Sequence, residues 1–233
     1  MTNKFPYHIA IILDGNRRYA RKHIYNTWRG HELGAEKVNK LIEWVSELGV
    51  RELTLYTFSI ENFGRNKKEV SYLMELFRKN FSRLKKSAKF KKEDLRINFI
   101  GRLNLFPVDI QEMMQKLMRE TRNKNSLIVN FAIGYSGRSE IVDAVKKIVN
   151  DTLAKKIIPK EISEEVFASY LYMSDEPDMI IRTGGEIRIS NFLIYQGAYS
   201  EWYFIKKLWP EITKRDIIKA INDYKLRERR YGR

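Results

Sequence analysis

The feature that most constrains the fold is an alternation of two hydrophobic periods: short continuous apolar runs, each followed by a stretch where apolar residues recur every three or four positions. Residues 8–13 form a run suited to a buried strand, and from Leu33 the residues Val38, Leu41, Ile42, Val45 and Leu48 recur at helical spacing up to Gly49. The pattern repeats with a strand over 53–58 and a stripe of Val70, Leu73, Met74, Phe77, Phe81 and Leu84. Residues 95–100 and 127–132 read as strands on either side of a helix carrying Ile110, Met113, Met114 and Leu117. A further helix starts at Arg138 with Ile141, Val142, Val145 and Ile148 on one face, and 179–181, 202–205 and 217–226 read as two strands and a closing helix. Repeated strand and helix units predict an α/β fold with a mainly parallel central sheet and helices on both faces. No repeat or linker interrupts the pattern, so residues 1–233 are expected to form a single domain.

In such folds ligands sit beyond the carboxyl ends of the strands. The strongest strands run directly into polar clusters there: Asp14-Gly15-Asn16-Arg17-Arg18, Ser59-Ile60-Glu61-Asn62, Gly134-Tyr135-Ser136-Gly137-Arg138 and Arg182-Thr183-Gly184-Gly185-Glu186. Four clusters at one edge predict a site. In the first, glycine lets an anion approach the main chain, arginines bind it, and Asp14 offers a hard oxygen of the kind Mg2+ shares with phosphates. Taken alone, Asp14 is equally a helix cap. The stretch 182–191 adds arginines, glycines and a serine, groups that match diphosphate oxygens better than base edges. Two such clusters on one sheet predict two diphosphate-bearing substrates.

Charge and composition agree with this. The formal net charge of +15 implies anionic partners, although much of it lies on solvated stretches such as Lys85, Lys86, Lys89, Lys91 and Lys92. There is no cysteine, which excludes disulfides, thiolate metal sites and cysteine nucleophiles and favours a reducing compartment. The short apolar run near the amino terminus ends at Asp14 and reads as neither a signal peptide nor a membrane span, so a cytoplasmic protein is expected. No P-loop, GxGxxG, HExxH or GxSxG pattern is present, which argues against a nucleotide, zinc or serine mechanism.

The blocks HIAIILDGNRRYA, GHELGA, LTLYTFSIENFGR, NFAIGYSGRSEI and IRTGGEIRISNFLIYQGAYSEWYF, in this order, span nearly the whole chain. Together they resemble the undecaprenyl diphosphate synthase family of cis-prenyltransferases, enzymes that add isopentenyl diphosphate units to an allylic diphosphate. The resemblance implies an apolar tunnel for the growing chain, with Met74, Phe77, Phe81 and Leu84, or Ile141, Val142 and Val145, as its candidate wall. It implies that Asp14 holds Mg2+ on the allylic diphosphate, cradled by Gly15, Asn16, Arg17 and Arg18, with Tyr19 beside the substrate. His31 and Arg65 match positions at the diphosphate, and Ser59, Ile60, Glu61 and Phe63 surround the substrate. Asn62 matches a residue proposed to assist proton removal; an amide is a very weak base, so an orienting role fits it better. Arg182, Arg188, Ile189 and Ser190 match the isopentenyl diphosphate site, and Glu201 matches a second carboxylate at the metal. The tail residues Arg230 and Gly232 match an RxG motif that reaches across a homodimer to the neighbouring site.

Arg17 and Tyr19 stand where bacterial members have Gly and Trp, so DGNRRYA is more similar to archaeal and eukaryotic members. Thr27 occupies a position that is usually arginine in bacterial members, with Arg29 close enough to compensate, and Ile187 replaces a histidine. These differences bear on the starter, geranylgeranyl or farnesyl diphosphate, and the long-chain product is expected to serve as a glycosyl carrier lipid. Because that product is a lipid, the lysine-rich stretch 85–92 is a candidate for peripheral membrane contact. Two rival readings are a non-catalytic partner subunit, which is expected to lack residues present here such as Asp14 and Asn62, and a basic nucleic-acid binder. No recognised nucleic-acid module supports the second.

Overall fold

The computed structural model describes residues 5–86 and 94–228, with residues 85 and 86 described by their backbone alone. Arg230, Gly232 and most of the lysine-rich stretch therefore lie outside the described residues. The order of elements is β1 (His8–Ile12), α1 (Asn16–Lys22), α2 (Thr27–Glu47), β2 (Glu52–Ser59), α3 (Lys67–Lys86), β3 (Leu95–Ile100), α4 (Val108–Thr121), β4 (Leu127–Tyr135), α5 (Gly137–Leu153), α6 (Glu164–Tyr170), β5 (Met179–Arg182), β6 (Glu201–Phe204) and α7 (Lys214–Leu226). The six strands form one sheet in the order β3-β4-β2-β1-β5-β6, and every pairing is parallel.

Parallel strands must be covered on both faces, which is why the runs read as continuously apolar. Along β1, Ile9 and Ile11 point to one face with Leu53, Leu55, Val129 and Phe131. Four helices cover that face through Leu41, Ile42 and Val45 of α2, Leu73, Met74 and Phe81 of α3, Ile110 and Met114 of α4, and Ile217 and Ile221 of α7. Ala10, Ile12, Ala132 and Ile180 point to the other face and meet Met173, Phe192 and Leu193. At its amino-terminal end the second face is polar. His8 Nε2 pairs with Thr54 Oγ1 at 2.8 Å, and Asn130 Nδ2 donates to Glu52 Oε1 at 2.6 Å and to Thr54 Oγ1 at 3.1 Å. Burial pushes the Glu52 carboxyl up to about 7 and the His8 imidazole down to about 4, since each loses water in its charged form.

The stripe expected on α5 is corrected by the structure. Val142 and Val145 are about half exposed and line neither the cavity beyond the strand ends nor the apolar cleft beside it, whereas Glu140, Ala144 and Ile148 face inward. The polar residue takes the inner position because buried donors meet it there: Tyr172 N at 2.9 Å, Gln196 Nε2 at 3.1 Å and the Tyr135 hydroxyl.

The sheet order also fixes the site. From β1 the chain moves to β2 on one side, while β5 pairs with β1 on the other and continues outward to β6. Loops after β1 and β5 therefore leave in opposite directions and open a crevice at their carboxyl ends. Asp14 and Arg182 stand in that crevice.

Candidate active site

A cavity of about 710 Å³ opens there, walled by the residues after β1, the end of β2, the first turn beyond it, and the loop after β5. A smaller apolar cleft between α2 and α3 adjoins it, sharing Leu13, Asn16, His31, Thr57 and Leu73, and extends past Phe77 and Phe81 to Leu84.

The floor of the cavity is a continuous chain of ion pairs. Arg182 Nη2 donates to Asp14 Oδ2 at 2.9 Å, and Arg18 Nη2, one helical turn beyond Asp14, reaches Asp14 Oδ1 at 3.1 Å. Arg18 Nη1 meets Glu186 Oε1 at 3.2 Å, and the other oxygen of Glu186 accepts from Arg188 Nη1 at 2.7 Å. Arg182 is nearly buried and also donates to Ser190 Oγ at 2.7 Å and to the Arg188 carbonyl. Gly184 makes this closeness possible: its φ is +88°, and a Cβ there would stand 2.4 Å from Arg18 Nη2. The two clusters expected from sequence are thus one connected surface, with Asp14 between two guanidinium groups.

The opposite wall is organised by Glu69, on the first turn of α3. Its buried carboxylate accepts from Arg65 Nη1 at 3.0 Å and pairs with His31 Nε2 at 3.2 Å, and Arg17 Nε lies 3.9 Å away. Burial lowers the His31 pKa, partly offset by the Glu69 carboxylate. His31 reaches the wall because α2 packs tightly on α1. A Cβ on Gly30 would stand 2.2 Å from the Asn16 carbonyl, and one on Gly34 would stand 2.3 Å from Asn16 Oδ1. The GHELGA block is therefore a helix-packing device that delivers a histidine.

Asn62 Oδ1 accepts the backbone N–H of Ser59 at 3.2 Å. That bond fixes the amide orientation and leaves Nδ2, a donor, as the group available to a ligand. The loop after β5 is tied to the β4 cluster: Asn191 Nδ2 donates to Ser136 Oγ at 2.6 Å and to Glu61 Oε1 at 3.2 Å, with Ser190 and Asn191 at φ of 49° and 61°.

Of the residues expected from sequence, Asp14, Gly15, Asn16, Arg17, Arg18, His31, Ser59, Glu61, Asn62, Arg65, Arg182, Arg188 and Ser190 line this one cavity. Tyr19 does not line it; its ring lies 4.2 Å from that of His23. Phe63 packs edge-on to Phe58 and Phe106, Ile60 lies outside the lining, and Ile189 is exposed. Arg29 pairs with Glu32 at 2.9 Å and does not reach the cavity in place of Thr27. Glu201 is at the opposite edge of the sheet. It starts β6 beside Met179, whereas Phe204 pairs with Arg182, and it is held by Arg227 Nη1 at 2.8 Å. Within one chain it does not join Asp14. Glu186 and Asn191, which fell inside the expected 182–191 cluster without a role of their own, also line the cavity, whereas Arg21 in the lining and Glu69 behind it were not expected; of these two only Glu69 carried a local signal, its i,i+4 spacing from Arg65.

Among the described residues no three His, Cys, Asp or Glu side chains gather closely enough to hold a metal ion on their own. The donor set still fits Mg2+, which binds through one or two carboxylates and completes its shell with water and substrate phosphates. Asp14 supplies such a carboxylate, and the surrounding arginines supply the phosphate site.

An all-parallel sheet with an arginine-rich cavity at its switch point, backed by an apolar cleft, is the arrangement suited to an enzyme of anionic esters with apolar tails. Residues 12–232 match the Prenyltransf family, described as that of an undecaprenyl diphosphate synthase, and the chain belongs to this family of prenyltransferases. It is 48% identical over 230 residues to a tritrans,polycis-undecaprenyl-diphosphate synthase (geranylgeranyl-diphosphate specific) of Pyrococcus horikoshii, covering 98% of this chain and 87% of that one. It is 42% identical to an isoprenyl transferase of Thermus thermophilus, covering 98% of this chain and 89% of the other. Among solved structures, lavandulyl diphosphate synthase from Lavandula x intermedia, in complex with dimethylallyl diphosphate, superposes with a TM-score of 0.91 at 30% identity, covering 99% of both chains.

Proposed function

We propose that the chain carries out Mg2+-dependent cis-prenyl elongation, adding several isopentenyl diphosphate units to an allylic diphosphate with diphosphate as the leaving group. The starter is geranylgeranyl diphosphate, the substrate named for the Pyrococcus relative, ahead of farnesyl diphosphate. The product is a long-chain polyprenyl diphosphate for a glycosyl carrier lipid. The supporting observation is the ion-pair chain through Asp14, which places two arginine groups on either side of one carboxylate above an apolar cleft.

In this reading Arg17, Arg18, Gly15 and Asn16 hold the allylic diphosphate, and Arg182, Arg188 and Ser190 hold isopentenyl diphosphate. Asp14 holds Mg2+, which when bound neutralises charge on phosphate oxygens. Breaking the allylic C–O bond leaves its electron pair on the diphosphate, where the arginines stabilise it. The isopentenyl double bond forms the new C–C bond, and the proton lost from that unit passes to a diphosphate oxygen. Asn62 Nδ2 donates a hydrogen bond that orients that oxygen. The growing chain enters the cleft past Leu73, Phe77, Phe81 and Leu84.

The active assembly is a homodimer, in which the tail with Arg230 and Gly232, and Glu201 with it, serve the partner's site. This is supported by the position of Glu201 and Arg227 at the edge away from Asp14, and by the exposed stripe Val142, Val145, Val149 and Leu153 on α5. Incubation with labelled isopentenyl diphosphate and a panel of allylic starters, with and without Mg2+, followed by product sizing, tests the reaction. Mg2+-dependent incorporation that is fastest with geranylgeranyl diphosphate is expected; no incorporation with any starter refutes it.

A further inference from the structure

Ile24 is the most exposed of the large apolar side chains described, at 96%. It also has φ of +57°, a conformation that β-branched residues disfavour strongly. It follows the carboxyl end of α1, where Ile24 N donates to Arg21 O at 3.2 Å and Tyr25 N donates to Ala20 O at 2.8 Å. Glycine or asparagine suits that left-handed position on both conformational and solvation grounds. The other non-glycine residues at positive φ are the polar Lys155, Ser190 and Asn191 and the fully buried Leu193. Ile24 alone has neither polarity nor packing to account for it.

Its surroundings point to a ligand class. Tyr25 is also exposed, and its ring stacks on His23, which in turn lies against Tyr19. Residues 15–31 contain no acid and five Lys or Arg. Four of these cations find acids elsewhere: Arg17 near Glu69, Arg18 on Asp14 and Glu186, Lys22 on Glu211 and Arg29 on Glu32. Arg21 has no ion-pair partner among the described residues; it is exposed and also lines the cavity. One fully exposed aliphatic tip, flanking tyrosines and an unneutralised cation match the interface of an anionic bilayer. A protein partner requires a broader packed patch.

We propose that the turn between α1 and α2 docks on an anionic lipid surface, with Ile24 and Tyr25 entering the headgroup boundary and the cavity mouth facing the membrane. The choice of a bilayer rests in part on the proposed lipid product; the exposed, strained Ile24 does not depend on it. The test is flotation of the full chain with phosphatidylcholine vesicles with and without phosphatidylglycerol. Asparagine favours the left-handed position, so Ile24→Asn keeps the fold, which its melting temperature verifies; Tyr25→Ser is a second variant. The wild-type chain is expected to float with the anionic vesicles and less so as salt rises. Ile24→Asn is expected to lower the partition coefficient roughly tenfold, and Tyr25→Ser to lower it to a lesser degree, with vesicle-free prenyl transfer unchanged. Failure of the wild type to bind anionic vesicles, or equal binding by both variants, overturns the proposal. Either result beside normal prenyl transfer leaves the reaction intact, and vesicle binding without prenyl transfer removes the reaction instead.

Discussion

Replacing Glu69 probes a residue that has no substrate contact in the proposed reaction yet gathers three groups that line the cavity, His31, Arg65 and Arg17. Glu69→Ala removes the acceptor for His31 and Arg65 at a buried site. A hydrogen bond to a charged group contributes about 1.5–3 kcal/mol when buried, and less where a partner is exposed. Arg65 is 28% exposed at its side chain, so its bond contributes about 1 kcal/mol and that of His31 about 2 kcal/mol. A loss of about 3 kcal/mol corresponds to a fall in Tm of roughly 6–12 °C for a chain of this length. Glu69→Gln keeps an acceptor and the volume, so about 1 kcal/mol is expected. With Arg65, His31 and Arg17 no longer gathered, KM for the allylic starter should rise about tenfold in the Ala variant, which is about 1.4 kcal/mol of binding. KM for isopentenyl diphosphate should move less, because Arg182 and Arg188 are held by other carboxylates. Thermal melts and initial rates with each substrate varied in turn provide the readout. A Glu69→Ala enzyme with an unchanged starter KM refutes the positioning role, and an unchanged Tm refutes the energetic one.

The other predictions are more local. Asn62→Asp keeps the acceptor for Ser59 N but loses the Nδ2 donor, so it should lose as much activity as Asn62→Ala; steady-state rates that stay normal in either variant remove Asn62 from the reaction. Gly184→Ala places a methyl against Arg18 at positive φ and should cost about 1–2 kcal/mol of stability, with weaker diphosphate binding measured by calorimetry. The Glu52 and His8 pair has opposed pH effects. Glu52 has its folded pKa raised from 4.5 to about 7, so its contribution is full below the unfolded pKa and is lost as pH rises through the folded one. His8 is lowered from 6.5 to about 4, so its contribution is present above the unfolded pKa and is lost as pH falls through the folded one. Between the two unfolded pKa values the slopes cancel. Glu52→Gln exposes the His8 slope, and its unfolding free energy should rise by about 1.4 kcal/mol per pH unit there relative to wild type in urea melts; parallel curves for the two proteins contradict this.

Much of the fold was legible because parallel strands must be apolar on both faces and their helices on one, two periods that are easy to separate. The site was legible where it follows strand ends directly, as with Asp14, Asn62 and Arg182. What escaped depended on three-dimensional relations that spacing does not carry. The motif paired Glu201 with Asp14, but Glu201 opens β6 rather than ending it, so within one chain the parallel sheet places it at the far end of the strands. On α5 the apolar period pointed Val142 and Val145 inward, while buried donors from Tyr135, Gln196 and Tyr172 N drew Glu140 there instead. Glu69 lies in a polar first turn without an apolar pattern, and only the folded wall shows what it gathers.

The most direct test of the central claim is the stereochemistry of the product made from geranylgeranyl diphosphate and isopentenyl diphosphate with Mg2+, read from the methyl signals of its proton and carbon NMR spectra. The proposed reaction predicts that the double bonds brought by the starter remain E and that every one added by the enzyme is Z, with several added per chain. Newly formed bonds that are E, or a product that stops after a single condensation, would contradict it.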